Sequence, residues 1–272
     1  MWGYELNFDD LNDAEANYIN GLPQAVPDVE WVWSEMDRIW DEFGLDNKRP
    51  LTGQPIADFY KHPVWLMNGI FTAIDPDSIR HRCAMAEFIK NQSSAYVADY
   101  GGGSGELAIR IAEGIKVTEV DIIEPFPSGL SEDKVQSEKK INFVNLLGKN
   151  KYDVIVAQDV LEHVENPIAL VIGMTKAVKP EGLIIFANCF YPVIKCHLPK
   201  TFHLRHTFTI LMKIFGLQFI CQIPGAEHAL VFKKTTGLHT KRLRLFEGIS
   251  KFIGPSVNML LLLLVRLRRV FR

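Results

Sequence analysis

The chain has 272 residues, 47% hydrophobic and 23% charged, with a formal net charge of −2, a balance that excludes disordered, collagen-like, disulfide-scaffold and globally basic nucleic-acid-binding classes. The ends differ: residues 1–50 carry 3 Lys and Arg against 12 Asp and Glu, and residues 233–272 carry 10 against 1, so an acidic head and a basic tail cancel in the total. Four cysteines without a CxxC pair fit a reducing compartment and buried thiols, and no basic-then-apolar leader opens the chain, which predicts a cytoplasmic location.

From Asp28 to Phe43, the residues Val29, Val32, Trp33, Met36, Ile39, Trp40 and Phe43 recur every three or four positions, which predicts an amphipathic helix capped by Asp28. A loop rich in Pro and Gly runs from Arg49 to Pro55, an apolar stretch opens at His62 to Met67, and Asp77 or Ser78 is placed to cap a helix ending near Lys90. Residues 1–80 read as a helical appendage over an acceptor site. Beyond residue 95, β-rich runs at about 95–100, 117–123, 141–145, 153–158 and 183–187 alternate with helical patterns, the order of a parallel α/β sheet. After a helix near 208–215, the runs Leu217 to Ile223 and Ala229 to Lys233 flank Pro224, Gly225, Ala226, Glu227 and His228, predicting an antiparallel hairpin. The expected fold is a doubly wound, mostly parallel seven-stranded sheet in residues 81–235, with a basic, apolar tail in 236–272.

Val97, Ala98, Asp99 and Tyr100, then Gly101, Gly102, Gly103, Ser104, Gly105, Glu106 and Leu107, set an apolar strand, an acid and alternating glycines before a helix. Glycines let a backbone turn tightly and approach a ligand without a Cβ. Glu124, nineteen residues after Gly105, ends the next strand, where a carboxylate can accept hydrogen bonds from both hydroxyls of a ribose. In these residues the chain resembles the class I S-adenosylmethionine-dependent methyltransferases, in their small-molecule branch, over about residues 80–235. Further along, Val178, Lys179, Pro180, Glu181 and Gly182 before the fifth strand continue the likeness, and the spacing Gly-Gly-Gly-Ser-Gly departs from the dinucleotide dehydrogenases. The resemblance implies a Rossmann-like fold and S-adenosylmethionine as cofactor. It implies Asp99, Gly101, Gly103 and Gly105 at the cofactor's amino-acid part, Glu124 on its ribose, Asn145 and Leu146 beside its adenine, and Asp159, at the start of the segment after the fourth strand, as a further cofactor contact.

Methyl transfer from a sulfonium is an in-line displacement, so the protein holds the acceptor, excludes water and, for a hydroxyl, takes a proton. His163 lies after the fourth strand at the carboxyl edge, with Glu162 beside it to support the imidazole or face the acceptor itself. The segment after the fifth strand holds Tyr191, His197, His203, Arg205 and His206. By resemblance, His203 or His206 are further candidate bases, while Tyr191, His197, Arg205 and Trp65 of the appendage are candidate acceptor contacts. A surface or packing role is the competing reading for each histidine taken singly. Cys189, Cys196, His197, His203 and His206 match no common zinc spacing, and adjacent Cys196 and His197 would strain one tetrahedron, so no metal is expected. Lys195, Lys200 and Arg205 offer cations to an anionic acceptor or form a solvated loop.

These residues lead to O-methylation of a sugar or glycan hydroxyl with a His base, by resemblance in its sharpest form an acidic sugar such as Kdo of bacterial surface polysaccharide. One alternative is methyl transfer to a quinone, lipid or other apolar metabolite; another is a non-catalytic binding or scaffold protein that keeps the fold. No nucleic acid is expected, since Gln158, Asp159, Val160 and Leu161 stand where an Asp-Pro-Pro-Tyr motif would be, and a homodimer is left open. The apolar run from Phe252 to Val265, fourteen residues with Gly254 and Pro255 inside, falls short of the roughly 20 that span a bilayer. With its basic neighbours it reads either as an interfacial anchor on the inner face of a membrane or as a helix packed on the domain, with the acidic head as a partner for its charge.

Overall fold

Asn12, Asp28 and Asp75 each start a helix by accepting N–H groups that the first turn leaves unpaired. In this computed structural model, which describes residues 1–128, 135 and 138–270 and side chains as far as 261, they open α1 (Asp13–Asn20), α2 (Val29–Glu42) and α5 (Pro76–Lys90). Between the last two lie α3 (Gln54–Lys61) and α4 (Val64–Ile74). Asp75 is the cap of α5, in place of the expected Asp77 or Ser78, because Pro76 fills the first helical position, where no N–H is needed. The stretch expected to stay a loop as far as Pro55 turns helical at Gln54, with Pro55 in the first turn. Val32, Met36, Ile39 and Trp40 of α2 bury against Phe59, Val64, Met67 and Ile70, forming an apolar cluster of the N-terminal helices.

The chain then alternates β1 (Tyr96–Tyr100), α6 (Glu106–Ala112), β2 (Glu119–Ile123), β3 (Ile141–Phe143), β4 (Tyr152–Gln158), α7 (Pro167–Ala177) and β5 (Val178–Ala187). It continues through α8 (Phe208–Phe215), β6 (Leu217–Ile223), β7 (Ala226–Lys234) and α9 (Thr240–Val270). Seven strands lie in the order β3-β2-β1-β4-β5-β7-β6. The first five pair in parallel, and β7 runs antiparallel between β5 and β6. Val154, Ile155, Val156 and Ala157 of β4 are buried on both faces, as a central parallel strand requires. Val171, Met174, Leu211 and Phe215 of α7 and α8 belong to one core cluster, and Met85, Ile89, Leu107 and Ile111 of α5 and α6 to the other. Strand order reverses beside β1, where Asp99 is level with Ile122 of β2 and Val156 of β4, so the segments from Gly101, Glu124 and Asp159 leave along one carboxyl edge, the usual ligand crevice of such sheets.

Three strand limits differ from expectation. β5 begins at Val178, so the Lys179–Gly182 segment expected before it is part of it, through a register shift opposite Tyr152 and Val154. β7 begins at Ala226, which tightens the hairpin to Pro224 and Gly225, the latter at φ +85°. β3 ends at Phe143, short of Asn145.

α9 continues through Gly254 and Pro255, which were expected to interrupt it. A Cβ on Gly254 would lie 2.7 Å from His203 Cβ, so the glycine permits the helix to close on that residue. Leu243, Glu247 and Ser250 are buried, and Glu247 is held between Arg244 at 2.8 Å and Lys251 at 2.7 Å. The inner face of α9 thus packs on the domain, and among the described residues no ion pair joins it to the acidic head. No described helix is long and apolar enough to cross a membrane. The four cysteines are free, but only Cys196 is buried and Cys83 is exposed, which corrects the expectation of four buried thiols.

Candidate active site

β1 delivers Asp99 and then the glycine loop. Gly101, Gly103 and Gly105 adopt φ of +71°, +50° and +76°, a region strained for any side chain. The Gly101 N–H donates to the Ile123 carbonyl at 2.8 Å, pinning the loop to β2. A Cβ on Gly101 would sit 2.5 Å from Val160 Cγ2, whereas one on Gly103 would meet nothing within 4 Å. The loop is therefore packed at its root and open at its apex.

Glu124 accepts the N–H of Gly103 at 3.2 Å and that of Phe126 at 3.1 Å. Asp99 lies beneath the loop, 2% exposed, and its Oδ2 has no hydrogen-bond partner among the described residues. Loss of solvent, reinforced by the Glu124 charge, pushes the Asp99 carboxyl up to about 7, and burial raises Glu124 against its two amides. An orphaned buried acceptor under an open turn calls for a ligand donor. A molecule bearing an ammonium group and a ribose fits this set, with the cation at Asp99, the hydroxyls at Glu124 and backbone room at Gly103.

After β4, Asp159 takes φ +51° and the chain enters a 3-10 turn at Leu161–His163. The segment after β5 is laced to that turn: Leu161 N donates to Asn188 Oδ1 at 3.2 Å, Cys189 N to Glu162 Oε1 at 2.7 Å, and Leu198 N to the Glu162 carbonyl at 2.9 Å. This lacing brings His163 and His197 edge to face, ring centroids 4.8 Å apart. His163 Nδ1 lies 3.1 Å from the Cys196 carbonyl, and His197 Nδ1 lies 3.1 Å from the Tyr191 carbonyl. Carbonyl oxygens only accept, so each neutral ring places its proton on Nδ1, which at His163 leaves the Nε2 lone pair free. Burial, with His197 adding to it, drives His163 down to about 3, and burial lowers His197 as well, so both rings are neutral near pH 7.

Glu162 is fully buried with Oε2 unpartnered among the described residues, and burial together with Asp159 raises its carboxyl to about 8. Asp159 is reached by solvent, yet the surrounding protein raises it too. The donor atoms of Glu162, His163 and His197 lie within 4.8 Å of one another. Such a trio can pass a proton or hold a divalent cation, and it is the one grouping of that kind among the described residues. The Cys and His spacing could not show it, because His197 arrives from a different loop.

Aromatic rings connect the two halves. Trp65 of α4 stands edge-on to His163 at 6.0 Å and stacks on Tyr60 at 5.2 Å, and Tyr60 lies parallel to Phe126 at 6.1 Å. The Trp65 Nε1 is buried without a partner among the described residues. α4 also covers the glycine loop, since a Cβ on Gly69 would lie 3.8 Å from Ser104 Cβ. Tyr60 and Phe126 were missed by the sequence reading. Phe126 had one usable signal, its place two residues past Glu124; Tyr60 had none.

His203 Nδ1 is 2.8 Å from Ser250 Oγ of α9, and burial with Lys251 lowers the ring to about 4. These contacts tie it to the tail, and among the described residues no hydrogen bond or ring contact joins it to His163 or His197. His206 and Arg205 are exposed, the latter 4.8 Å over the Tyr191 ring. Asn145 and Leu146 are exposed beyond the end of β3. Lys195 pairs with Asp41 at 2.5 Å and Lys200 with Glu165 at 2.6 Å, so two of the three cations considered for an anionic acceptor are neutralised within the chain.

A family model described as "Methyltransferase domain" matches residues 75–215, just over half of the chain. A ubiquinone biosynthesis O-methyltransferase of Rickettsia akari is 28% identical over 109 residues, 38% of this chain and 43% of that protein. One of Hydrogenovibrio crunogenus is 30% identical over 113 residues, 38% of this chain and 47% of that protein. The chain therefore spans less than half the length of these relatives. Among solved structures, a 1,6-didemethyltoxoflavin-N1-methyltransferase of Burkholderia thailandensis with bound S-adenosylhomocysteine superposes with a TM-score of 0.51 at 13% identity, covering 70% of this chain and 93% of that one. A phosphoethanolamine N-methyltransferase of Haemonchus contortus gives 0.50 at 13% identity, covering 76% and 55%. At such identity these two show a shared fold.

Proposed function

The chain belongs to the methyltransferase domain family, and on that premise we propose that it transfers a methyl group from S-adenosylmethionine to a hydroxyl on an aromatic, quinone-type metabolite. The observation that carries the acceptor class is the aromatic wall of Phe126, Tyr60 and Trp65 ending on neutral His163. Flat apolar rings pack well against the edge or outer face of such a stack. The relatives named for ubiquinone biosynthesis support the same class. The sugar reading loses support, because Lys195 and Lys200, offered to an acidic sugar, are engaged by Asp41 and Glu165.

S-adenosylmethionine supplies an electrophilic methyl group on a sulfonium. Asp99 would hold its ammonium group, the turn at Gly101, Gly103 and Gly105 would admit its amino-acid part, and Glu124 would take its ribose. The Trp65 and Tyr60 rings fix the plane of the acceptor and keep water out. His163 accepts the hydroxyl proton at Nε2, its other nitrogen being tied to the Cys196 carbonyl. Glu162, with a carboxyl oxygen within 4.8 Å of the imidazole, holds this turn to the loop after β5 by accepting the Cys189 N–H.

The test supplies the full chain with S-adenosylmethionine deuterated on its methyl group and a mixture of catechols, hydroquinones and sugars, read by mass spectrometry. The expected label is on a phenolic oxygen. Label on a sugar hydroxyl restores the glycan reading, and no label with no S-adenosylhomocysteine formed favours a binding protein.

A further inference from the structure

As far as residue 261, α9 is covered on one side only. Leu243, Glu247, Ser250 and Gly254 face the domain, whereas Leu245 (65% exposed), Ile249, Phe252 (87% exposed), Ile253, Met259 and Leu260 are open to solvent. At 3.6 residues per turn these apolar positions fall on the arc opposite the buried ones, so the outer face is a largely apolar strip about four turns long, broken by exposed Ser256. Beside its first turn is an open cavity of about 450 Å³ whose lining includes Ile210, Lys213, Ile214, His239 and Arg242. Among the described residues neither Lys213 nor Arg242 forms an ion pair, and the one acid beyond residue 233, Glu247, is neutralised by Arg244 and Lys251.

We propose that this face docks on the anionic phospholipid surface of a membrane. The apolar strip enters the headgroup boundary, while Lys213, Lys241 and Arg242 meet lipid phosphates at one end of the helix. An apolar face with cations and no free acid matches a surface that is apolar within and negative without. A second copy of the chain fits less well. Pairing two such helices in either direction sets basic ends against basic ends, since the sequence continues with Arg266, Arg268 and Arg269.

Docking has a consequence for the site. α9 clasps the 3-10 turn Pro199–Leu204, with Asn258 Nδ2 donating to the Phe202 carbonyl at 2.9 Å, and that turn directly follows the loop carrying His197. The acceptor loop is thereby set near the lipid. The proposal does not rest on the acceptor reading, because its test measures no catalysis.

The experiment is co-sedimentation of the full chain with vesicles of phosphatidylcholine, alone or mixed with phosphatidylglycerol. Two double variants accompany it: Leu245→Glu with Phe252→Glu, and Lys213→Glu with Arg242→Glu. All four positions avoid the buried core, and far-ultraviolet dichroism with thermal unfolding verifies that each variant is folded. The wild type is expected to sediment with the anionic vesicles and not with phosphatidylcholine alone. A basic residue near such a surface contributes about fivefold in affinity, so the second variant is expected to lose about 25-fold or more, and the first, which loses two apolar side chains from the boundary, about tenfold or more. Failure of the wild type to sediment at low salt overturns the proposal, as does undiminished binding by the first variant. So does a dimer in analytical ultracentrifugation that the first variant dissociates while vesicles leave the wild type in solution.

Discussion

Replacing Asp99 by Asn tests whether the carboxylate beneath the glycine loop is kept at a cost in stability. Burial and the Glu124 charge move its pKa from the ordinary 3.8 to about 7, a displacement equivalent to roughly 4 kcal/mol against the ionised form. The folded chain holds a proton there that the unfolded chain releases between about pH 4 and pH 7. The contribution of Asp99 to stability therefore falls as pH rises through that window and levels off above about pH 7. An asparagine at this position does not titrate, so the stability advantage of Asp99→Asn should grow from about 2 kcal/mol near pH 5 to about 4 kcal/mol above pH 7. The carboxylate is 2% exposed, so solvent screening does not shrink that figure much. Urea unfolding of the ligand-free protein across this pH range reads it directly. An advantage that stays constant, or that shrinks as pH rises, would refute the argument. The same variant should bind S-adenosylhomocysteine at least about tenfold more weakly, since hydrogen bonds to a charged group contribute about 1.5–3 kcal/mol.

Glu124→Ala frees the Gly103 N–H and removes the carboxylate proposed for the ribose, so calorimetry should show roughly a 10- to 100-fold loss of cofactor affinity; unchanged affinity would sink that assignment. His163→Ala should lower turnover by roughly 10²–10⁴ with little change in cofactor affinity, and matching losses in both would make it a structural residue. Because burial holds His163 at about 3, the wild-type rate should not fall with a midpoint near 6.5 as pH drops from 8 to 6, and such a limb in the pH profile would contradict its surroundings. Trp65→Ala should raise KM for an aromatic acceptor about tenfold and leave S-adenosylhomocysteine binding unchanged; a fall in both would place Trp65 in the general packing of the cap.

Much of the sheet was legible because periodicity is a local property. The strands at Tyr96–Tyr100 and Tyr152–Gln158 and the glycines between β1 and α6 are written in consecutive residues, and the positive φ values at Gly101, Gly103 and Gly105 are what alternating glycines permit. Helix starts were harder, since Asp75 with Pro76 outcompetes Asp77 and Ser78 through a backbone preference that periodicity does not report. The acceptor side was only half legible. His163 follows from strand position, but its pairing with His197 depends on bonds from Leu161 to Asn188 and from Cys189 to Glu162 between loops distant in sequence. The setting of His203 was hidden for the same reason: its partner Ser250 comes from the tail, and Gly254 makes room for that approach.

The central claim is that Asp99, the glycine turn and Glu124 form a binding site for S-adenosylmethionine. Titration calorimetry of the full chain with S-adenosylhomocysteine tests it most directly. One-site binding with a micromolar Kd is the predicted result. Absence of heat at saturating ligand, with the protein folded by dichroism, would contradict the site and the methyl transfer built on it.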